Sequence, residues 1–192
     1  MTNDPLELFQ GWFGEAERAG VEVPEAMTLA TADADGRPSA RMVLLKGADA
    51  DGFVFYSGYV SRKAAELQAN PRAAVVFYWR PLGRQVRVEG PVERVSEAES
   101  AAYFATRPRG SRLAAWASHQ SRPLESREAL EERYAELDRE YEGRDVPLPP
   151  HWGGYRLRPE VIEFWEHREN RLHDRLCYTR AREGWSVERL SP

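Results

Sequence analysis

The chain has 192 residues, 30% of them charged and 42% hydrophobic, with a net charge of −4. That length suits one domain, over residues 1–192, with a real core, and the composition excludes global disorder. Nucleic-acid binders carry a basic footprint, so an acidic balance argues against that partner. Any cationic cluster must then be local, and it asks for a specific anion.

One cysteine, Cys177, cannot close an internal disulfide. The four histidines, His119, His151, His167 and His173, show no zinc-ligand spacing, so no metal site is expected. The N-terminal stretch is acidic and lacks the apolar core of a signal peptide. No segment approaches the roughly 18 apolar residues of a membrane span. The expected setting is the cytoplasm, with no membrane partner.

In chain order, residues 4–19 predict an amphipathic helix capped by Asp4, with Pro5 in its first turn and Leu6, Phe9, Trp12, Phe13 and Ala16 in one stripe. From Met27 the period shortens. Residues 27–33 and 39–46, joined by Asp35-Gly36-Arg37-Pro38, predict a hairpin. Residues 48–52 predict a turn before a strand at 53–58. Residues 61–70 predict a short helix stopped by Pro71. Strands are expected at 73–79 and 84–95, and helices at 97–107, 112–118 and 126–141. Pro147, Pro149 and Pro150 mark a rigid connection before four final strands. Many short strands with few long helices predict a mainly β fold, a closed or partly closed antiparallel barrel carrying helices.

Four cationic constellations stand out. In Arg171-Leu172-His173-Asp174-Arg175, strand parity puts Arg171, His173 and Arg175 on one face, where they repel unless an anion or a carboxylate compensates. Tyr103 and Arg107 are spaced i and i+4 on a helix, and Ser111 can cap the next helix, whose free N–H groups also favour an anion. In Ser61-Arg62-Lys63 two cations sit at a helix start, where the helix dipole disfavours them unless a phosphate is present. Arg41 and Lys46 frame an apolar strand, and parity puts them on opposite faces unless a bulge intervenes. Each constellation alone also fits an ordinary solvated surface. Together, in an acidic chain, they fit two phosphate-bearing ligands. No Gly-rich dinucleotide or P-loop fingerprint is present, so side chains and helix starts must hold them.

The segments RMVLLK (41–46), FVFYSGYVSRKAAEL (53–67), RQVRVEG (84–90), YFATRPRGS (103–111), SHQS (118–121), PLPPHWGGYRL (147–157) and IEFWEHRENRLHDR (162–175), with the terminal RL-S-P, resemble the pyridoxamine 5′-phosphate oxidase family. The resemblance runs in order from about Asp4 to Pro192. Single pieces such as SRK are weakly specific; the ordered set is highly specific.

The resemblance implies an FMN-binding split antiparallel β-barrel with flanking helices, forming a homodimer with FMN at the subunit interface. Carried over by position, the FMN contacts are Arg41, Lys46, Tyr56, Ser57, Arg62, Lys63, Gln85, Gln120, Ser121, Trp165 and Arg175. The substrate contacts are Lys46, Tyr103, Arg107, Ser111, Arg171 and His173, with Arg171 and His173 as the catalytic pair that orients the pyridine ring. Ser57 stands where threonine is common, which keeps a hydroxyl. The implied reaction oxidises pyridoxamine or pyridoxine 5′-phosphate to pyridoxal 5′-phosphate and reduces molecular oxygen to hydrogen peroxide. Rival readings are a related flavin oxidase of a phenazine precursor, a non-catalytic binder of FMN or pyridoxal phosphate, and a purely structural split-barrel dimer. The Tyr103/Arg107/Ser111 clamp opposes the first, the presence of both Arg171 and His173 opposes the second, and the four cationic clusters oppose the third.

Overall fold

Strand alternation decides which way each segment of the computed structural model faces. The structure describes residues 4–192; the first three residues of the N-terminal stretch lie outside the described residues. Helix α1 (Pro5–Arg18) begins as expected, with Asp4 accepting a hydrogen bond from the Leu6 amide and Pro5 in the first turn. β1 (Ala26–Ala32) buries Met27, Leu29 and Thr31 and leaves the alternate residues half-covered. It forms the expected hairpin with β2 (Pro38–Leu44). The Asp33 carboxylate closes that hairpin by accepting from the Asp35 and Arg37 amides.

Residues 48–52 are only partly a turn. A three-residue strand, β3 (Gly47–Asp49), precedes it and pairs with β4 (Gly52–Gly58). The Asp49 side chain accepts from the amides of Asp51 and Gly52, which compresses the reversal. There follow α2 (Arg62–Ala69), β5 (Arg72–Trp79), β6 (Arg84–Arg94), α3 (Glu97–Thr106), α4 (Arg109–Ala117) and α5 (Arg127–Glu140). The chain ends with β7 (Trp152–Leu157), β8 (Val161–Glu166), β9 (Asp174–Arg180) and β10 (Trp185–Arg189). Among the described residues no helix is long and apolar enough to cross a membrane.

The antiparallel sheet runs β10-β9-β8-β6-β5-β1-β2, and β7, β4 and β3 branch from it at β6. Residues 84–89 of β6 pair with β8, whereas residues 92–94 pair with β7. Between them Gly90 lies so close to the next turn that a Cβ would sit 1.9 Å from the Arg158 carbonyl oxygen. Glycine thus lets one strand serve both branches and curl the sheet into a half-barrel. Helices flank it, in agreement with the expected mainly β architecture.

The inner face of the curl carries the core. Phe77 and Trp79 of β5, Val86 and Val88 of β6, and Ile162 and Phe164 of β8 are buried there. Helix α1 closes it through Phe9, which meets Phe53 edge-on at 4.9 Å and Phe77 at 5.1 Å. A smaller cluster of Leu113, Leu137 and Val146 packs α4 against α5.

Phe9 is 1% exposed. Truncating a fully buried phenylalanine costs about 3–5 kcal/mol. Phe9→Ala is therefore expected to lower the midpoint of chemical denaturation substantially, whereas Gln10→Ala, one position away on the exposed face, should leave it nearly unchanged.

Candidate active site

Helix α2 starts as the sequence predicts. Ser61 is its cap, accepting from the Ala64 amide, and Arg62 and Lys63 occupy its first turn. Lys63 points inward and is 6% exposed. Its ammonium donates to Ser57 Oγ at 2.9 Å and Gln120 Oε1 at 3.0 Å, and Ser57 Oγ donates to the same amide oxygen at 2.8 Å. Burial, helped by the charge of Arg41 and opposed by Glu66, pulls the Lys63 pKa from the ordinary lysine range to about 8. An ammonium held in so dry a place favours an anionic neighbour.

Two adjoining cavities open around this triad. One, of about 280 Å³, is lined by Lys46, Tyr56, Ser57, Lys63, Tyr103, Arg107, Gln120 and Trp152, with Met42 at its edge. The other, of about 370 Å³, is lined by Ser39, Arg41, Met42, Arg62, Lys63, Gln120 and Ser121. Met42, Lys63 and Gln120 border both. Ten residues expected from the sequence to hold ligands thus meet in one place.

Aromatic rings build the wall of the first cavity. Tyr56 stacks on Tyr103 at 4.0 Å and on Trp152 at 5.4 Å. Gly154 permits this approach, because a Cβ there would meet the Tyr56 ring at 2.8 Å. Burial first, then the charges of Glu99 and Tyr103, push the Tyr56 phenol up to about 12, which keeps it protonated. The Arg107 guanidinium lies 4.6 Å over the Trp152 ring. Its Nη1 is buried without a hydrogen-bond partner. A buried donor left unpaired is costly, and an anion in the cavity would satisfy it.

Several expectations need correction. Helix α3 ends at Thr106, and Arg107 is its extended C-cap, because Pro108 follows and excludes helical geometry at the preceding residue. Tyr103 and Arg107 still face one cavity. Helix α4 starts at Arg109 with Pro108 in the cap position, so Ser111 lies inside the first turn and is no cap. Ser111 lines neither cavity. Strand parity does not relate Arg41 to Lys46, because β2 ends at Leu44 and the Lys46 amide already pairs with the Val54 carbonyl. The two cations line neighbouring cavities instead.

The Arg171-His173-Arg175 triplet shares no strand face. Residues 169–171 form a 3-10 turn in which Asn170 and Arg171 adopt left-handed backbone, φ 55° and 61°, and β9 begins only at Asp174. The chain therefore reverses before the strand. Left-handed geometry at two non-glycine residues is strained, and such strain clusters at functional sites. Arg175 finds a carboxylate partner in Glu163, at 2.8 Å.

Gln85, Trp165 and Arg175 stand in one cross-strand row on the outer face: Gln85 pairs with Trp165 across β6–β8, and Trp165 pairs with Arg175 across β8–β9. The His173 ring lies 4.5 Å from the Trp165 ring, and its Nδ1 accepts from the Arg168 amide at 3.2 Å. That contact leaves Nε2 as the N–H of the neutral ring. Neither cavity is lined by Gln85, Trp165, Arg171, His173 or Arg175. The expected site residues thus fall into two groups within one chain.

Two contributors escape a sequence reading. Trp152 was visible only as part of the WGG segment. Glu66, whose sole signal is its i+4 spacing from Arg62, is buried and accepts from Thr31, Ser39, Arg41 and Arg62. Burial alone would raise its pKa, but the bonds from Ser39, Thr31, Arg62 and Arg41 outweigh that and hold it at about 2.

Comparison with known proteins gives two family matches. The model described as pyridoxamine 5′-phosphate oxidase covers residues 13–139, and that of the pyridoxine 5′-phosphate oxidase C-terminal dimerisation region covers residues 152–192. A pyridoxine/pyridoxamine 5′-phosphate oxidase of Rubrobacter xylanophilus is 66% identical over 189 residues, spanning 98% of this chain and 87% of that protein. One of Cupriavidus metallidurans is 57% identical over 190 residues, spanning 98% and 89%. Among solved structures, PhzG from Burkholderia lata in complex with tetrahydrophenazine-1-carboxylic acid superposes with TM-score 0.95 at 37% identity, covering 100% of this chain and 94% of that one.

Lys63 yields a test with a definite sign. Its pKa is lowered in the folded protein, so folding is penalised while the folded ammonium stays charged, below about pH 8. The penalty fades as pH rises from about 8 towards the ordinary lysine value of about 10.4. Lys63→Met should accordingly stabilise the ligand-free protein at pH 7 by roughly 1–3 kcal/mol, with a smaller gain at pH 9.5. Thermal melts at the two pH values check this; an equal or larger gain at pH 9.5 would contradict the assignment.

Proposed function

The chain belongs to the pyridoxamine 5′-phosphate oxidase family, and on that premise we propose how its residues divide the work of the reaction. The enzyme oxidises pyridoxine or pyridoxamine 5′-phosphate to pyridoxal 5′-phosphate. We assign the cavity bounded by Lys46, Tyr103 and Arg107 to the substrate phosphate. The observation that carries this assignment is the buried, partnerless Nη1 of Arg107, held over Trp152 beside a tyrosine. A phosphate oxygen there accepts a charge-assisted hydrogen bond that no protein group supplies.

The adjoining cavity, with Arg41, Arg62, Lys63, Gln120 and Ser121, is assigned to the phosphate end of FMN. These residues fit the group: three cations and two polar side chains converge on one space in a chain of net charge −4. FMN, when bound, supplies the two-electron redox chemistry, with molecular oxygen as the final acceptor. The protein binds, orients and excludes water. Lys63 and Ser57, fastened to Gln120, present donors without rearrangement. The stacked rings of Tyr56, Tyr103 and Trp152 form a dry wall.

Gln85, Trp165, Arg171, His173 and Arg175 stand apart from these cavities, and the family match over residues 152–192 is to a dimerisation region. We therefore assign the working site to two chains of a homodimer, one contributing the cavities and the other the Trp165 row and the 169–173 turn. Arg171 and His173 then orient the pyridine ring from the partner side.

The reaction is tested by loading the purified protein with FMN, adding pyridoxine or pyridoxamine 5′-phosphate in air, and following pyridoxal phosphate and peroxide together. Stoichiometric appearance of both is expected. A flavin-loaded protein inert towards both substrates would sink the reading and turn attention to a phenazine-like substrate. Arg171→Ala is expected to lower turnover far more than FMN content; turnover near wild type would remove Arg171 from its role. For the shared site, Arg107→Ala and Arg171→Ala chains should each be nearly inactive alone. Random re-pairing of the two should restore roughly a quarter of wild-type activity, because half the dimers are mixed and each mixed dimer holds one intact site. No recovery would place both groups of residues in one chain's site.

A further inference from the structure

Among the described residues only two carboxylates are buried, Glu66 at 5% exposure and Glu163 at 2%. Glu66 sits on the inward side of α2, at the meeting point of three elements. Its Oε2 accepts from Thr31 Oγ1 of β1 at 2.5 Å, Ser39 Oγ of β2 at 2.6 Å and Arg41 Nη2 of β2 at 3.1 Å. Its Oε1 accepts from Arg62 Nε of α2 at 2.8 Å. A buried charge is weak evidence for stability, since well-packed apolar residues often do as well. Its presence beside a cluster of cations asks for another account.

We propose that Glu66 is a positioning residue for the cofactor phosphate: it holds Arg41 and Arg62 side by side before the ligand arrives and aims the free edge of Arg62 into the cavity. The two arginines differ in how they are held. Both terminal nitrogens of Arg41 are engaged, Nη1 with the Leu29 carbonyl and Thr31, Nη2 with Ser39 and Glu66. Arg41 is thus a brace. Arg62 is tied only through Nε, and its two terminal nitrogens have no protein partner among the described residues. Its side chain is 65% exposed, so without the Nε anchor it would sample many rotamers and lose that freedom on binding. The guanidinium fork suits bidentate recognition of a phosphate.

Charge leads to the same conclusion. Arg41, Arg62 and Lys63 line one cavity, and without a counter-charge they would repel one another in the ligand-free protein. One buried carboxylate offsets part of that repulsion yet leaves a net positive cavity. Glu66 accordingly acts on phosphate recognition through Arg62 and Arg41, without touching the ligand.

The proposal rests on reading this cavity as the phosphate seat of FMN, and a comparison of two flavins separates the two ideas. Riboflavin shares the isoalloxazine ring of FMN and lacks the phosphate. Dissociation constants for both would be measured by flavin fluorescence quenching on the wild-type dimer and on Glu66→Gln, which keeps size and removes charge. Wild type should prefer FMN. In Glu66→Gln, FMN should weaken roughly tenfold to a hundredfold, as for loss of hydrogen bonds to a charged group, while riboflavin binding stays within about twofold, so the preference collapses. Equal weakening of both flavins, or an unchanged preference, overturns the positioning role and leaves Glu66 as a fold brace. If Glu66→Gln does not fold by circular dichroism, Glu66→Asp carries the test: its shorter carboxylate keeps the charge but withdraws from Arg62. A several-fold drop in the preference is then expected, and an unchanged preference overturns the proposal. A wild-type protein that binds riboflavin as tightly as FMN overturns the phosphate seat itself, and the role of Glu66 with it.

Discussion

The bend of β6 at Gly90 is the constraint on which the rest of the molecule depends. Along one edge the strand pairs with β8 before the bend and with β7 after it, while β5 stays paired along the other edge as far as Pro91. The Arg158 carbonyl occupies the space a side chain would need. Because the strand changes partners there, the sheet curls, and its inner face becomes a closed apolar space capped by α1. Beyond the bend, β7 brings Trp152 next to Tyr56 of β4, and α3 packs over them with Tyr103. The aromatic wall of the candidate site is therefore a direct product of the branch point.

Within that frame the site is organised by charge. Lys63 is buried at the cost of a lowered pKa, Arg107 keeps a buried donor without a partner, and Glu66 remains ionised through four donors. The first two would be unfavourable in a protein optimised only for stability, and the third is a buried charge that its donors fully compensate. They become intelligible together as a seat prepared for phosphate groups, with the carboxylate keeping the cations in order while the seat is open. The outer sheet face shows a related arrangement, since the buried Glu163 pairs with both Arg87 and Arg175.

The separation of the site residues into two groups follows from topology. The cavities lie where β2, β4, α2 and α3 converge. Gln85, Trp165 and Arg175 project from the opposite, outer face of the sheet, because their positions alternate with the core residues Val86 and Phe164. No rotation of side chains carries one group through the core to the other. Under the proposed two-chain site the partner's outer face lies over the cavities, and that face also exposes Tyr78, the cross-strand neighbour of Gln85.

Much of this was legible in the order of the residues. The cap Asp4-Pro5, the SRK helix start and the alternation in β1, β5 and β6 follow from local chemistry, because periodicity and capping depend on neighbours a few positions apart. The ordered motifs also identified the family and, with it, the reaction. What local chemistry could not settle were relations between distant segments. Parity failed for Arg41 and Lys46 because a strand ended between them, and for Arg171 to Arg175 because two left-handed residues turned the chain. Ser111 lost its capping place to Pro108, which starts α4 earlier through its fixed φ. The convergence of Ser57, Lys63 and Gln120, the partnerless nitrogen of Arg107 and the burial of Glu66 beneath two arginines belong to tertiary structure alone. They depend on which elements pack together and which atoms lose their water, and no short-range pattern in a sequence encodes either.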